Sequence, residues 1–152
     1  MHFESGPITD RYELSAALGW GIVPVTILRD GPFGEGAVQQ FVAHDPDEHF
    51  FTLLDGNEDR FRQFAVFDVL ANNTDRKGGH CLHDQANDVI VGIDHGLCFH
   101  DEYKLRTVIW EFGGEDIPAS RIELVGSMLD EAIRGLAALA RAEALGQAHG
   151  GL

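Results

Sequence analysis

Two acidic segments in the middle of the chain constrain its fold and function most. Residues 72–80, with the sequence NNTDRKGGH, follow an apolar run typical of a helix, and residues 91–96, VGIDHG, end a run typical of a β-strand. Nineteen positions separate Asp75 in the first segment from Asp94 in the second. This order predicts that a loop after a helix and the end of a strand together carry the functional carboxylates.

The composition predicts a single acidic domain over residues 1–152. With 152 residues, of which 44% are hydrophobic, the chain can bury one core but has little room for two. Its formal net charge of −14 argues against a nucleic-acid partner, because such binding depends on cationic side chains that meet phosphates. The sequence contains neither a run of about 20 apolar residues nor a signal-peptide pattern. We therefore expect a cytoplasmic protein without a membrane span.

The first half of the sequence predicts a helix, a hairpin and a second helix. Residues 9–18 have helical spacing and Gly19 ends the pattern. Residues 20–28 and 37–43 are apolar runs on either side of the breakers at 29–34, which favours a β-hairpin. Residues 60–71 are apolar on nearly every side, so this helix is expected to be the buried centre of the fold.

The second half predicts a small hairpin and a long helix. Residues 81–82 and 89–93 are strand-like and flank a turn at 84–88, whereas residues 104–112 fit a strand or an extended loop. Ser120 and Glu123 form a capping-box pattern before an amphipathic helix that extends to about residue 147. This helix favours core packing, and its length leaves a homodimer open. Cys81 and Cys98 are too few for a disulfide framework and are expected to be buried thiols.

The pattern of the two acidic segments predicts phosphoryl-transfer chemistry. Kinase-type enzymes place a catalytic Asp in a loop with a metal ligand five residues later, and a second metal-binding Asp before a Gly at a strand end. Asp75 fits the first role, His80 occupies the fifth position, and Asp94 precedes His95-Gly96. Imidazole suits softer ions than magnesium. Arg76 and Lys77 fit either contacts to phosphates or support of the loop.

Residues 65–80, 93–100 and 104–110 resemble an actinobacterial family described as phosphatidylinositol 3- and 4-kinase-like, a branch of the atypical kinases with D-R-x-x-x-N and I-D-x-G signatures. The resemblance covers roughly residues 12–115. It implies an α+β, protein-kinase-like fold in which residues 44–152 form a mainly helical large lobe with small β-hairpins. Residues 9–43 would be a remnant of the small lobe and the hinge. The nucleotide-covering loop and the strand Lys of such kinases would precede the first helix, so a truncated small lobe is expected.

The same resemblance implies the cofactors and the site residues. ATP with Mg²⁺ or Mn²⁺ would bind with catalytic roles for Asp75 and Lys77, and His80 and Asp94 would hold the metal. The nucleotide would contact Gln40, Phe41 and Val42 at the hinge and Arg76 in the loop.

The sequence is compatible with three functions. The first is an ATP-dependent phosphotransferase acting on a protein or small molecule, with an unknown phosphoacceptor. The second is a catalytically inactive, kinase-like module that binds metal or nucleotide. The third is a structural or dimerisation domain.

Overall fold

The computed structural model of the chain describes residues 14–99 and 101–130, and in this part the protein is α+β as predicted. Two compact units, Met1–Glu115 and Asp116–Leu152, divide the chain. The first contains two antiparallel hairpins, and its elements in chain order are α1 (14–17), β1 (Thr26–Gly31), β2 (Gly34–Gln39), α2 (Phe50–Leu53), α3 (Glu58–Leu70), a 3₁₀ turn (Gly78–His80), β3 (Cys81–Asp84) and β4 (Val89–Gly92). The second contains α4 (119–130).

Helix α1 ends where the sequence predicts. Gly19 has the left-handed φ of +65° that only glycine adopts at little cost, and the amide of Trp20 donates to the carbonyl of Ser15 across this end. The Ser15 hydroxyl in turn accepts the amides of Ile22 (2.7 Å) and Val23 (3.1 Å), which buries residues 22–23. The predicted start of the helix near residues 9–10 lies outside the described residues.

The β1–β2 hairpin confirms the predicted hairpin, with shifted strands. Residues 20–25 are not strand, and β2 ends at Gln39 rather than at residue 43. Gly31 pairs with Gly34, so Pro32 and Phe33 form a two-residue connection. The apolar side chains of this hairpin are largely exposed, including Ile27 at 55%.

Helix α3 packs with one face rather than with nearly all of its surface, so that part of the prediction is wrong. Phe61, Phe64 and Phe67 are fully buried, whereas Val69 on another side is exposed. Helical geometry explains the difference because positions three or four apart share one face. The Phe50 ring packs edge-to-face on Phe61, with 4.9 Å between the ring centroids.

The β3–β4 hairpin forms as predicted, although β3 continues to Asp84 instead of ending at residue 82, and β4 ends at Gly92 instead of residue 93. Its register pairs Leu82 with Val91, and both side chains pack against Val42 in a buried cluster. The amide of Gly92 donates to the carbonyl of Ile22 at 2.7 Å. This hairpin is therefore enclosed by the rest of the first unit.

Residues 104–110 form a loop, one of the two predicted alternatives for 104–112, with an isolated bridge between Thr107 and Arg76, and residues 111–114 form a turn. Helix α4 begins at residue 119, and the Pro118 carbonyl accepts the amides of Arg121 and Ile122. Ser120 therefore lies in the first turn, and the prediction that it caps the helix is wrong. None of the helices within residues 14–99 and 101–130 has both the length and the apolar character needed to cross a membrane.

Candidate metal centre

Asp75, His80 and Asp94 come together as the sequence analysis expects. Each offers one ligand atom, and these three atoms all lie within 4.8 Å of one another. His80 Nε2 lies 3.3 Å from Asp94 Oδ2. Asp75 and His80 are half-buried and Asp94 is exposed, so the three side chains form a cluster that a cation can reach from solvent.

Asp75 is positioned by the turn that follows α3. The Asn73 carboxamide oxygen accepts the amide of Asp75 at 3.1 Å, and its nitrogen donates to buried Asp68 at 2.9 Å. The amide and hydroxyl of Thr74 both donate to the carbonyl of Leu97, each at 2.9 Å. The loop is therefore attached on one side to α3 and on the other to the segment after Asp94.

His80 is oriented by its own loop. The backbone amide of Lys77 donates to Nδ1 of His80 at 3.5 Å, and the carbonyl of His80 accepts the amide of Ile93 at 3.0 Å. When Nδ1 accepts a hydrogen bond, the neutral ring carries its proton on Nε2 and donates it towards Asp94. A metal bound at Nε2 requires the other tautomer.

Asp94 follows the end of β4 in a left-handed conformation, with φ +55°. Few residues other than glycine adopt this region, although Asp and Asn tolerate it best. Residues held in such conformations concentrate at functional sites because the surrounding structure must maintain them.

Lys77 forms an ion pair with Asp75, with 2.7 Å between Nζ and Oδ2. The hydrogen bond from Lys77 lowers the pKa of Asp75, and the charges of Lys77, His80 and Arg106 lower it further. The pKa of Lys77 is raised in turn, mainly by its bond to Asp75 and also by the charge of Asp94. Asp75 is therefore ionised at neutral pH. A substrate that binds Asp75 would have to compete with the ammonium group of Lys77.

Arg76 lies in the interior, although it is flanked by two residues that reach solvent. Its side chain is 0% exposed and binds Asp68, with 2.8 Å from Nη2 to Oδ1 and 3.0 Å from Nε to Oδ2. Nη2 also lies 2.7 Å from Nε2 of His95. The guanidinium is thus enclosed and has no access to a nucleotide. Of the two roles considered for Arg76, the structure shows support of the loop rather than contact with a nucleotide.

The Arg76 ion pair links the segments that carry Asp75 and Asp94. Asp68 belongs to α3, Arg76 sits next to Asp75, and His95 sits next to Asp94. Thr107 closes the group by donating its hydroxyl to Asp68 Oδ2 at 3.2 Å. The sequence analysis did not predict this network. Its only indication in the sequence is Asp68, a charged residue in the apolar run of α3.

The predicted hinge residues divide into two kinds. Gln40 and Phe41 are exposed, whereas Val42 packs into the cluster with Leu82 and Val91. The carbonyl of Val42 lies 2.9 Å from Nδ1 of His44. Residues 40–42 therefore contact the β3–β4 hairpin, next to which His80 and Asp94 lie, with Gln40 and Phe41 accessible to a ligand and the Val42 side chain enclosed.

Comparison with known proteins identifies the family. No protein-family model matches the chain. The chain is similar to Protein Rv2133c of Mycobacterium tuberculosis (strain ATCC 25618 / H37Rv), with 35% identity over an alignment of 189 positions. That alignment covers 94% of this chain and 68% of the relative. The chain belongs to the family of Protein Rv2133c. Because the alignment covers nearly the whole chain, it spans the region that builds the candidate metal centre.

Proposed function

We propose that this protein is a phosphatidylinositol 3-/4-kinase-like, ATP-dependent phosphotransferase that acts on a protein or small molecule. One observation carries the proposal: the carboxylates of Asp75 and Asp94 and the imidazole of His80 place their ligand atoms within 4.8 Å of one another. Their order along the chain is that of the catalytic and metal-binding residues of kinases. Phosphoryl transfer depends mainly on such positioning and on charge stabilisation.

In this proposal each residue has one role. Asp75 accepts the proton of the attacking hydroxyl and orients it, while His80 and Asp94 hold Mg²⁺ or Mn²⁺. A metal held by these two residues would neutralise charge on the nucleotide phosphates. Lys77 lies within reach of both carboxylates and stabilises the transferred phosphoryl group. Gln40 and Phe41 contact the adenine at the hinge, where 84% of Phe41 is exposed and available for stacking.

The ligand set favours Mn²⁺ over Mg²⁺. Magnesium prefers oxygen ligands in near-ideal octahedral geometry, whereas imidazole binds first-row transition metals more readily. The ligand set of one imidazole, from His80, and one carboxylate, from Asp94, is therefore better suited to manganese. The proposal predicts that any activity is higher with Mn²⁺ than with an equal concentration of Mg²⁺.

A catalytically inactive, kinase-like module is the second candidate, and the contacts within the site favour it. Lys77 already binds the carboxylate proposed to orient the hydroxyl, and His80 faces the carboxylate proposed to bind metal. Metal or nucleotide would then bind without turnover. The homodimer remains a prediction from the helical sequence pattern that extends to about residue 147, most of which lies outside the described residues.

Isothermal titration of ATP with Mn²⁺ or Mg²⁺, run beside a radiolabelled phosphate-transfer and hydrolysis assay, separates the two candidates. We expect Asp75→Asn to retain ATP binding and lose turnover, and Asp94→Asn to lose metal-dependent binding. Asp30→Asn, on the exposed strand β1, is the matched control and should equal the parent. Binding without turnover in the parent would favour the inactive module, and absence of both would exclude the proposed function.

A further inference from the structure

Residues 101–108 lie along the loop that carries Asp75 and are fastened to it by hydrogen bonds. Asn72 holds one end, since its side-chain nitrogen donates to the carbonyl of Glu102 at 2.7 Å and its oxygen accepts the amide of Lys104 at 2.9 Å. At the other end, the amide of Val108 donates to the carbonyl of Arg76 at 3.1 Å. The segment therefore has a fixed register against the loop.

Arg106 occupies the centre of this contact. Its amide donates to the carbonyl of Asn73 at 2.9 Å, and its carbonyl accepts the amide of Arg76 at 3.0 Å. Both bonds bracket Asp75 in the sequence, so the backbone of Arg106 is fixed beside the residue proposed to orient the phosphoacceptor. The side chain of Arg106 is exposed, and its positive charge contributes to the low pKa of Asp75.

Arg106 differs from the other cations near the site because its guanidinium has no carboxylate partner among the described residues. Lys77 pairs with Asp75, Arg76 with Asp68, and Lys104 with Glu102 at 3.1 Å. Within residues 14–99 and 101–130, no carboxylate oxygen lies within 4.0 Å of the Arg106 guanidinium. No carboxylate of the described residues therefore occupies its five N–H donors, and their planar geometry suits a phosphate or carboxylate.

The local charge favours an anion once a metal is bound. Lys77 and Arg106 together balance the carboxylates of Asp75 and Asp94, and a divalent cation would leave this small region with a net positive charge. The whole chain, by contrast, has a formal net charge of −14. An anionic substrate would thus be attracted here and repelled by most of the remaining surface.

We propose that Arg106 is a substrate-binding residue that holds an anionic group, a phosphate or a carboxylate, next to Asp75. This assignment rests on the proposed function and narrows it, because it makes the substrate bound at Asp75 anionic. Arg106 acts by direct contact with that group and selects against uncharged substrates.

Inorganic pyrophosphate tests the assignment without nucleotide or turnover. Titration calorimetry with Mg²⁺ present would compare the parent with Arg106→Gln and Arg106→Lys, and with Arg29→Gln in the exposed strand β1 as the control. We expect Arg106→Gln to weaken binding about tenfold or more, the range for loss of one charge-assisted hydrogen bond. Arg106→Lys should retain part of the affinity because it keeps the charge, and Arg29→Gln should equal the parent.

Pyrophosphate binding that is absent from the parent, or unchanged in Arg106→Gln, would overturn the assignment. A loss common to Arg106→Gln and Arg29→Gln would also overturn it, since it would reflect overall charge. The result is separable from the proposed function. Pyrophosphate binding that depends on Arg106, without ATP turnover, would reject the phosphotransferase and support the anion site. ATP turnover with pyrophosphate binding that does not depend on Arg106 would support the phosphotransferase and reject the anion site.

Discussion

The first unit contains two antiparallel hairpins of two strands each, one largely exposed to solvent and the other largely buried. In β1–β2, five of the six residues of the first strand are exposed, including Ile27 and Leu28. In β3–β4, three of the four residues of each strand are buried, and Arg60 of α3 donates to the carbonyl of Ile90 at 2.8 Å. A two-stranded hairpin alone is only marginally stable in water, so its surroundings decide how firmly it is held.

This difference explains where the candidate metal centre lies. His80 directly precedes β3 and Asp94 follows β4 by two residues, so both ligands are attached to the enclosed hairpin. A binding site requires ligands held in place by packed side chains. The exposed hairpin instead presents accessible apolar and polar residues that lead towards the predicted hinge at 40–42.

The buried ion pair of the enclosed region should give the largest effect. Arg76→Ala leaves the Asp68 carboxylate buried without its charged partner, and we expect the free energy of unfolding to fall by about 3–5 kcal/mol. Arg29→Ala in exposed β1 should change it by less than about 0.5 kcal/mol. Urea denaturation measures both. Equal effects of the two variants would contradict the assignment of Arg76 to the structural network.

Leucines on the two hairpins provide the next comparison. Leu82 in β3 is 6% exposed and Leu28 in β1 is 44% exposed. Leu82→Ala should destabilise by about 2–5 kcal/mol through lost burial and the cavity that remains, whereas Leu28→Ala should cost clearly less. Chemical denaturation of the pair decides the point, and a larger loss for Leu28→Ala would show that β1–β2 is covered in solution.

Sequence patterns could predict the elements and the ligands but not the environment of each hairpin. Breakers such as Gly31 and Gly34 mark turns locally, and the spacing from Asp75 to Asp94 marks the site. Each hairpin, however, contains β-branched apolar residues, and which of the two is packed depends on contacts with distant α3. Arg76 shows the same limit, because its burial depends on Asp68, which is outside any motif.

Glycines test how closely each hairpin is packed. A Cβ at Gly92 in β4 would lie 2.9 Å from Phe64 Cε1 and 3.0 Å from Arg76 Nη1, whereas a Cβ at Gly36 in β2 would meet nothing within 4 Å. Gly92→Ala should therefore lower stability by about 1–3 kcal/mol through overpacking. Gly36→Ala should be neutral or slightly stabilising. Thermal unfolding of both variants checks the contrast, which fails if Gly92→Ala is also neutral.

Thiol reactivity gives the smallest expected effect, with no change in stability. Burial raises the pKa of Cys81 in β3 to about 12, so its reactive thiolate is scarce at neutral pH. In the native protein at pH 8, alkylation of Cys81 by iodoacetamide should be slow and should become rapid in denaturant. Ile27→Cys supplies an exposed thiol in β1 that should react readily. Fast native alkylation of Cys81, mapped by mass spectrometry, would show that the enclosed hairpin opens.

Metal-dependent stabilisation tests the central claim most directly. A cation that binds only the folded protein should raise its stability by about 2.7 kcal/mol at a hundredfold excess over the dissociation constant. Thermal unfolding with increasing Mn²⁺ or Mg²⁺ should show this shift in the parent and in Asp30→Ala, and lose it in Asp94→Ala. If Asp94→Ala responds to both ions as the parent does, Asp75, His80 and Asp94 do not form a metal centre.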